Sequence, residues 1–262
     1  MRIRNGLFAL LNANKGRGQF HAKATGNNEA TIWLYDAIVR DDSWGGVSAL
    51  TVGKALAEHA DKATIHLRID SPGGDVFAGR AMEQLIKEHP GNVITHIDGF
   101  AASAASYVAL AGNEVQISQG GQIMIHKAWT LTWGNADDLS KTVNLLNQID
   151  EALILTYADR TGQDAEQIRK WISAETWFTA DDAVKYGFAD KIAGDVGADQ
   201  PGASNADRAW DLSAYANAPQ GALPAASSLA PKSAVDKAEA AESDVDEFDR
   251  DAALRRLAAA AL

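Results

Sequence analysis

The sequence predicts an α/β protein with mostly parallel strands. Three observations predict it. Residues 63–70 alternate cleanly, with Ala63, Ile65, Leu67 and Ile69 on one face and Thr64, His66, Arg68 and Asp70 on the other. Segments such as 75–89 and 137–160 carry apolar residues at helical spacing. Strand-like and helix-like segments also take turns along the chain, the order expected of parallel strands joined by helical crossovers.

From the N-terminal side, 30–39 is apolar and β-prone, and 48–60 is helical through Leu50, Ala55, Leu56 and Ala57. The strand at 63–70 leads to a helix at 75–89 that turns Ala78, Met82, Leu85 and Ile86 inward. A strand follows at 93–98, then a helix at 103–111 closed by Gly112. Short strands at 114–118 and 122–126 flank Gly120-Gly121. A long helix at 137–160 has apolar residues at 139, 143, 146, 149, 153 and 157, and shorter helices follow at 164–172 and 180–186.

Composition narrows the function classes. The 262 residues, 46% hydrophobic and 23% charged, can bury a large core, which excludes a wholly disordered or fibrous chain. Cysteine is absent, so there is no disulfide, no thiolate nucleophile and no cysteine-ligated metal. No cofactor-binding or metal-ligating pattern stands out. With 24 basic against 35 acidic residues the net charge is −11, which disfavours a nucleic-acid partner. No apolar stretch reaches the ~20 residues of a membrane span. The apolar run at 6–11 is too short and too soon broken for a signal peptide. A soluble chain in the cytoplasm, with no membrane partner, is expected.

Composition also breaks near residue 195. From 195 to 262 there are 4 of the 6 prolines, 21 alanines, and 12 acidic against 6 basic residues. The expected organisation is an N-terminal arm over 1–25, a folded domain over 26–194, a disordered linker over 195–234 and an acidic, Ala-rich helical tail over 235–262. The arm holds the basic residues Arg2, Arg4, Lys15 and Arg17 and also His21. Truncation after 194 is expected to leave a folded domain.

Two segments depart from an ordinary strand-to-helix connection. Ser71-Pro72-Gly73-Gly74-Asp75 directly follows a strand. It reads either as a tight connection or as a turn that aims backbone N–H groups into a cleft. It lacks the lysine of a P-loop and the spacing of a dinucleotide site. Gly99-Phe100-Ala101-Ala102-Ser103-Ala104-Ala105-Ser106 opens a helix with small residues around Ser103. Ser103 reads either as a helix N-cap or as a nucleophile at a helix N-terminus, where negative charge is favoured. A serine nucleophile needs a base. Of the six histidines, His126 ends a strong apolar strand just before a loop, and reads either as a hydrogen-bonded core histidine or as the edge of a site.

Ile69-Asp70-Ser71-Pro72-Gly73-Gly74, Gly99-Phe100-Ala101-Ala102-Ser103 and Met124-Ile125-His126 together resemble the ClpP family of serine peptidases in order and spacing. Thr161-Gly162-Gln163 and the run 178–190 extend the match, which covers about residues 30–194. The resemblance implies a ClpP/crotonase-type fold with layered, mostly parallel β-sheets and flanking helices. It implies Ser103 as nucleophile, His126 as general base, and the N–H groups of Gly74 and Ala104 as the oxyanion hole. It makes Ser106 structural. It makes 137–160 the helix that projects between subunits, and so implies a ring-like homo-oligomer.

The family's triad Asp is matched here by Glu175, in Glu175-Thr176-Trp177-Phe178. Lys127-Ala128-Trp129 stands where housekeeping members have Gln-Pro, and the N-terminal 25 residues do not match the loops that engage an unfoldase. These departures and the acidic extension resemble the ClpP-like prohead (head maturation) proteases of tailed phages. The implied substrates are capsid and scaffold proteins, and the implied place is the bacterial host cytoplasm, inside the assembling prohead. The alternatives are a housekeeping ClpP-like subunit working with an ATP-driven unfoldase, and a non-catalytic capsid assembly scaffold of the same fold. A signal-peptide peptidase relative and a crotonase-type acyl-CoA enzyme fit less well, the first for want of a membrane span and the second because it needs no Ser/His pair here.

Overall fold

A computed structural model describes residues 6–26, 28–194 and 210–219, all within one unit, Met1–Ala226. Its elements in chain order are α1 (Gly6–Asn14), β1 (Gln19–Ala24), β2 (Glu29–Tyr35), α2 (Ala49–Glu58), β3 (Thr64–Ser71), α3 (Val76–Lys87), β4 (Asn92–Ala102) and α4 (Ala104–Ala109). There follow β5 (Glu114–Ile117), β6 (Gln122–Ile125), α5 (Ala136–Thr161), α6 (Ala165–Ala174), β7 (Thr176–Thr179), α7 (Ala180–Lys185) and β8 (Lys191–Ile192). No described helix is long and apolar enough to cross a membrane.

The strands join in the order β1-β2-β3-β4-β5-β8, with β6 and β7 branching from β4. Pairings are parallel except β1 with β2 and β6 with β7. The branch comes from β4 itself. Its first half pairs with β5 through Ile94–Ile97, and its end, Phe100–Ala102, pairs with β6. The register between β3 and β4 shifts at the same level, between Ile69 and Ser71. The strand therefore changes partners midway, from β5 to β6, and Ser103 follows directly after its end.

Alternation decides which face is buried. Ile32 and Leu34 of β2, Ile65, Leu67 and Ile69 of β3, Val93 and Ile97 of β4, and Val115 and Ile117 of β5 form one face of the core. Met82 and Ile86 of α3, Val52 and Leu56 of α2, and Val108 of α4 cover it. The opposite face carries a polar network. Tyr35 donates to Asp98 at 2.5 Å, and Arg68 donates to the same carboxylate through two nitrogens at 2.9 and 2.5 Å. A bidentate guanidinium fixes this layer without apolar packing.

Asp75 starts α3 by accepting the Ala78 N–H, and Asn135 starts α5 through a capping box with Asp138. Gly162, left-handed at φ 68°, ends α5. Only the second half of α5 is buried, through Leu153, Ile154 and Tyr157. In the first half Leu139 is 43% exposed and Val143 55% exposed.

Three expectations are corrected. The arm expected over 1–25 is folded from residue 6: α1 buries Leu10 and Leu11, and β1 pairs with β2 over its whole length. The apolar run supplies the buried side of α1, and the edge of β2 gives β1 its hydrogen-bonding partner. The linker expected over 195–234 contains a packed segment. Trp210, Leu212 and Tyr215 are buried with Leu10, Ala102 and Met124, so three apolar side chains order a stretch whose average composition is loose. The remainder of that linker and the helix expected over 235–262 lie outside the described residues. Finally, residues 99–102 are the end of β4, not the opening of a helix, and α4 begins at Ala104. The segments 176–179 and 191–192, not expected as strands, pair with β6 and β5.

Candidate active site

The Pro-Gly-Gly turn is shaped by its neighbours. Ser71, fully buried, donates through Oγ to the Asp36 carbonyl at 2.6 Å and accepts the Gly73 N–H at 3.2 Å. Ile38 N–H donates to the Gly73 carbonyl, and Asp75 N–H to the Ile38 carbonyl. Both glycines are required. Gly73 has φ 83°, and a Cβ there would lie 2.4 Å from the Ala102 carbonyl and 2.8 Å from Ser103 Cβ. Gly74 has φ 153°, and a Cβ there would lie 1.9 Å from the Ile38 carbonyl. The turn therefore presses its backbone against the Ser103–Ala104 peptide, as no side-chain-bearing residue could.

Ser103 holds φ 52° and ψ −121°, a region that non-glycine residues adopt at a cost of about 1–3 kcal/mol. Bonds on both sides hold it there. Its N–H donates to the Met124 carbonyl at 2.9 Å. Its carbonyl accepts from Ser106 N–H at 3.0 Å and from Ser106 Oγ at 2.6 Å. Ser106 is fully buried and shares a 2.7 Å hydrogen bond with the Tyr157 hydroxyl of α5, whose own ionisation burial suppresses. Ser106 is thus structural, and it supports Ser103 from beneath. Ser103 stands at the N-cap position of α4 but makes no capping bond with its side chain. Its Oγ instead lies 2.7 Å from Nε2 of His126. The N–H of Ala104, first in α4, has no acceptor within the helix.

His126 directly follows β6. The chain beyond it is tied down by Lys127 N–H to the Ile172 carbonyl at 3.1 Å and by Ala128 N–H to Asp150 Oδ1 at 2.8 Å. Burial raises the Asp150 pKa, and the bond from Ala128 works against that rise. With its proton on Nδ1, the imidazole can accept the Ser103 O–H at Nε2. The pair then has the geometry of an activated alcohol nucleophile.

Glu175 ends α6 in a left-handed conformation, φ 50°. The antiparallel register of β6 and β7 ends by pairing Ile125 with Thr176, the residues next to His126 and Glu175 in sequence. The Glu175 Oε1 accepts the N–H of Asn217 at 2.6 Å. Of the five residues singled out from sequence, Ser103 is hydrogen-bonded to His126, Gly74 and Ala104 lie on the two segments pressed together at the turn, and Glu175 directly precedes β7, the strand that pairs with β6. Among the described residues no group of three His, Asp or Glu could hold a metal.

The sequence reading missed the segment that lies on this site. Tyr215 stacks on Trp129 at 5.7 Å between ring centroids and meets the His126 ring edge-on at 5.4 Å. Its hydroxyl donates to the Pro72 carbonyl at 2.5 Å. Trp210 donates through Nε1 to Asp70 at 3.2 Å. The signal was present, since Trp210 and Tyr215 are the sole Trp and Tyr after residue 195.

A family model described as Clp protease matches residues 20–195. The ATP-dependent Clp protease proteolytic subunit 2 of Tropheryma whipplei is 32% identical over 168 residues, 63% of this chain and 91% of that protein. Subunit 1 of Leifsonia xyli is 29% identical over 163 residues, 62% of this chain and 81% of that protein. Among solved structures, a point mutant of ClpP1 from Listeria monocytogenes shares the fold with a TM-score of 0.56 and 24% identity, covering 63% of this chain and 92% of that one.

Proposed function

Because this chain belongs to the Clp protease family, a family of serine peptidases, we propose that it is a serine endopeptidase in which Ser103, His126 and Glu175 carry the chemistry. The observation that supports this most is the 2.7 Å contact between Ser103 Oγ and His126 Nε2, made by a serine whose strained backbone turns its side chain away from helix capping.

In this reading Ser103 Oγ attacks the carbonyl carbon of a peptide while its proton passes to Nε2 of His126. The N–H groups of Gly74 and Ala104 donate to the oxygen that becomes negative. His126 then gives the proton to the leaving amine as the C–N bond breaks, and water, activated by the same imidazole, releases the acyl group from Ser103. Glu175 orients the ring through Nδ1 and stabilises the imidazolium. Ser103→Ala should abolish labelling by a fluorophosphonate probe and peptide hydrolysis while leaving the fold intact. Label that moves to Ser106, or activity that survives, would overturn the assignment.

The finer reading is capsid maturation: cleavage of scaffold and capsid proteins by a ring-like homo-oligomer inside an assembling phage prohead, in the host cytoplasm. It is supported by Glu175 at the acid position, by Lys127-Ala128-Trp129 after the base, and by the extension past residue 195. Co-expression with the capsid and scaffold proteins of the same genome tests it: shells should form with cleaved subunits, and uncleaved subunits with the Ser103→Ala variant. The names of the relatives favour a second reading, a subunit that works with an ATP-driven unfoldase. ATP-dependent degradation of a folded substrate with the host unfoldase, and no capsid cleavage, would select it.

A further inference from the structure

We propose that residues 210–217 are an intramolecular occupant of the substrate cleft, and that the cleft takes peptides presenting an aromatic side chain where Tyr215 now sits. The proposal rests on the peptidase reading of Ser103 and His126, and it adds a substrate class and a self-inhibitory contact.

Four observations carry it. First, Tyr215 is 5% exposed and lies on the reacting pair. Its ring touches the His126 ring edge, stacks on Trp129 and meets Trp177 edge-on at 6.0 Å. Three aromatic rings around one phenol make a pocket for a flat side chain. Second, its hydroxyl donates to the carbonyl of Pro72, the residue leading into Gly73-Gly74. Burial raises the phenol pKa above its usual range. The phenol is thus neutral, and it fills space that a substrate carbonyl approaching Ser103 would need.

Third, the segment is fastened at both ends. Asn14 clasps Asp211 twice, donating from Nδ2 to its carbonyl at 2.9 Å and accepting its N–H at 2.7 Å. Trp210 is tied to Asp70 at the end of β3. At the other end Asn217 donates its N–H to Glu175 and its Nδ2 to the Ala174 carbonyl at 2.8 Å. One anchor is therefore the residue proposed to orient His126. Fourth, the segment forms no helix or strand. It is held by side chains and a few isolated bonds, so it can leave without breaking a sheet. Fifteen residues, 195–209, separate it in sequence from the end of the 26–194 domain.

Two measurements on the full-length chain test this. The first is the rate at which a fluorophosphonate probe labels Ser103. It should rise at least ~10-fold in Tyr215→Ala and in Asn217→Pro, because the apparent affinity of a covered site is multiplied by the fraction that is open. Asn217 is exposed, so that variant removes an anchor and leaves the buried rings untouched. The second needs no catalysis. A fluorescein-labelled peptide with the sequence of residues 208–219 should bind Ser103→Ala/Tyr215→Ala, and Ser103→Ala/Asn217→Pro, at least ~10-fold more tightly than Ser103→Ala alone. The same peptide with alanine in place of its tyrosine should bind none of them. Should Tyr215→Ala fail to fold, Asn217→Pro carries both measurements. Equal labelling rates and equal peptide affinities in folded variants would overturn the proposal and leave the peptidase reading standing. A gain in peptide affinity with no labelling of Ser103 in any variant would do the reverse.

Discussion

Glu175 Oε1 accepts the backbone N–H of Asn217 at 2.6 Å, across 42 positions of sequence. The carboxylate proposed to orient His126 is thereby joined to the segment that covers the site. In the left-handed conformation at φ 50°, its longer stem places the acid at the edge of the β6–β7 pair.

Glu175→Gln should keep the fold and lower turnover by up to ~10⁴-fold, as removal of a triad carboxylate does elsewhere. Glu175→Asp should recover part of the loss. Turnover near that of the unaltered protein in Glu175→Gln, with Ser103→Ala and His126→Ala inactive, would show that the pair works without this acid. Steady-state hydrolysis of a fluorogenic peptide decides it.

Truncation after residue 194 removes Trp210, Leu212 and Tyr215 from Leu10, Ala102 and Met124. The truncated chain should still fold but melt roughly 5–10 °C lower, the effect of exposing a few large apolar side chains in a domain of this size. An unchanged melting temperature by circular dichroism would show that 210–219 adds nothing to stability.

The first half of α5 should hold subunits together. Leu139 and Val143 are about half exposed, on a helix whose second half is buried. Leu139→Asp with Val143→Asp should shift native mass spectra toward smaller species. A monomer with full peptidase activity in the unaltered protein would count against an assembled enzyme.

Acid should destabilise the fold through His96. Burial, then the Arg68 guanidinium, hold its pKa at about 4, and His66 lies 2.9 Å away through Nδ1. A histidine whose folded pKa lies below the usual value of about 6.5 contributes fully above that pH, and the contribution is lost as pH falls toward 4. Between pH 6.5 and 5, denaturant midpoints should fall for the unaltered protein and less steeply for His96→Gln. The difference approaches about 1.4 kcal/mol per pH unit at most. Parallel curves would assign the acid sensitivity to other groups.

Much of the layout was legible in the sequence because it rests on short-range pattern. Alternation at 63–70 marked β3 and its buried face, helical spacing marked α3 and α5, and Pro72-Gly73-Gly74 marked a turn no other residues could make. Ser103 was ambiguous on its own, since a small residue at a helix start caps as readily as it attacks. Only the tertiary structure brings His126, from the end of another strand, to 2.7 Å from its Oγ and leaves the cap unmade. The same holds for Trp210 and Tyr215. A segment rich in Ala, Ser and Asn has no periodicity to read, and its order comes from Leu10, Trp129 and Asp70, partners brought to it from far along the chain. Local pattern fixes which face of an element is apolar, but which distant side chain meets it depends on the path of β4, which changes partners midway and brings Ser103 beside β6.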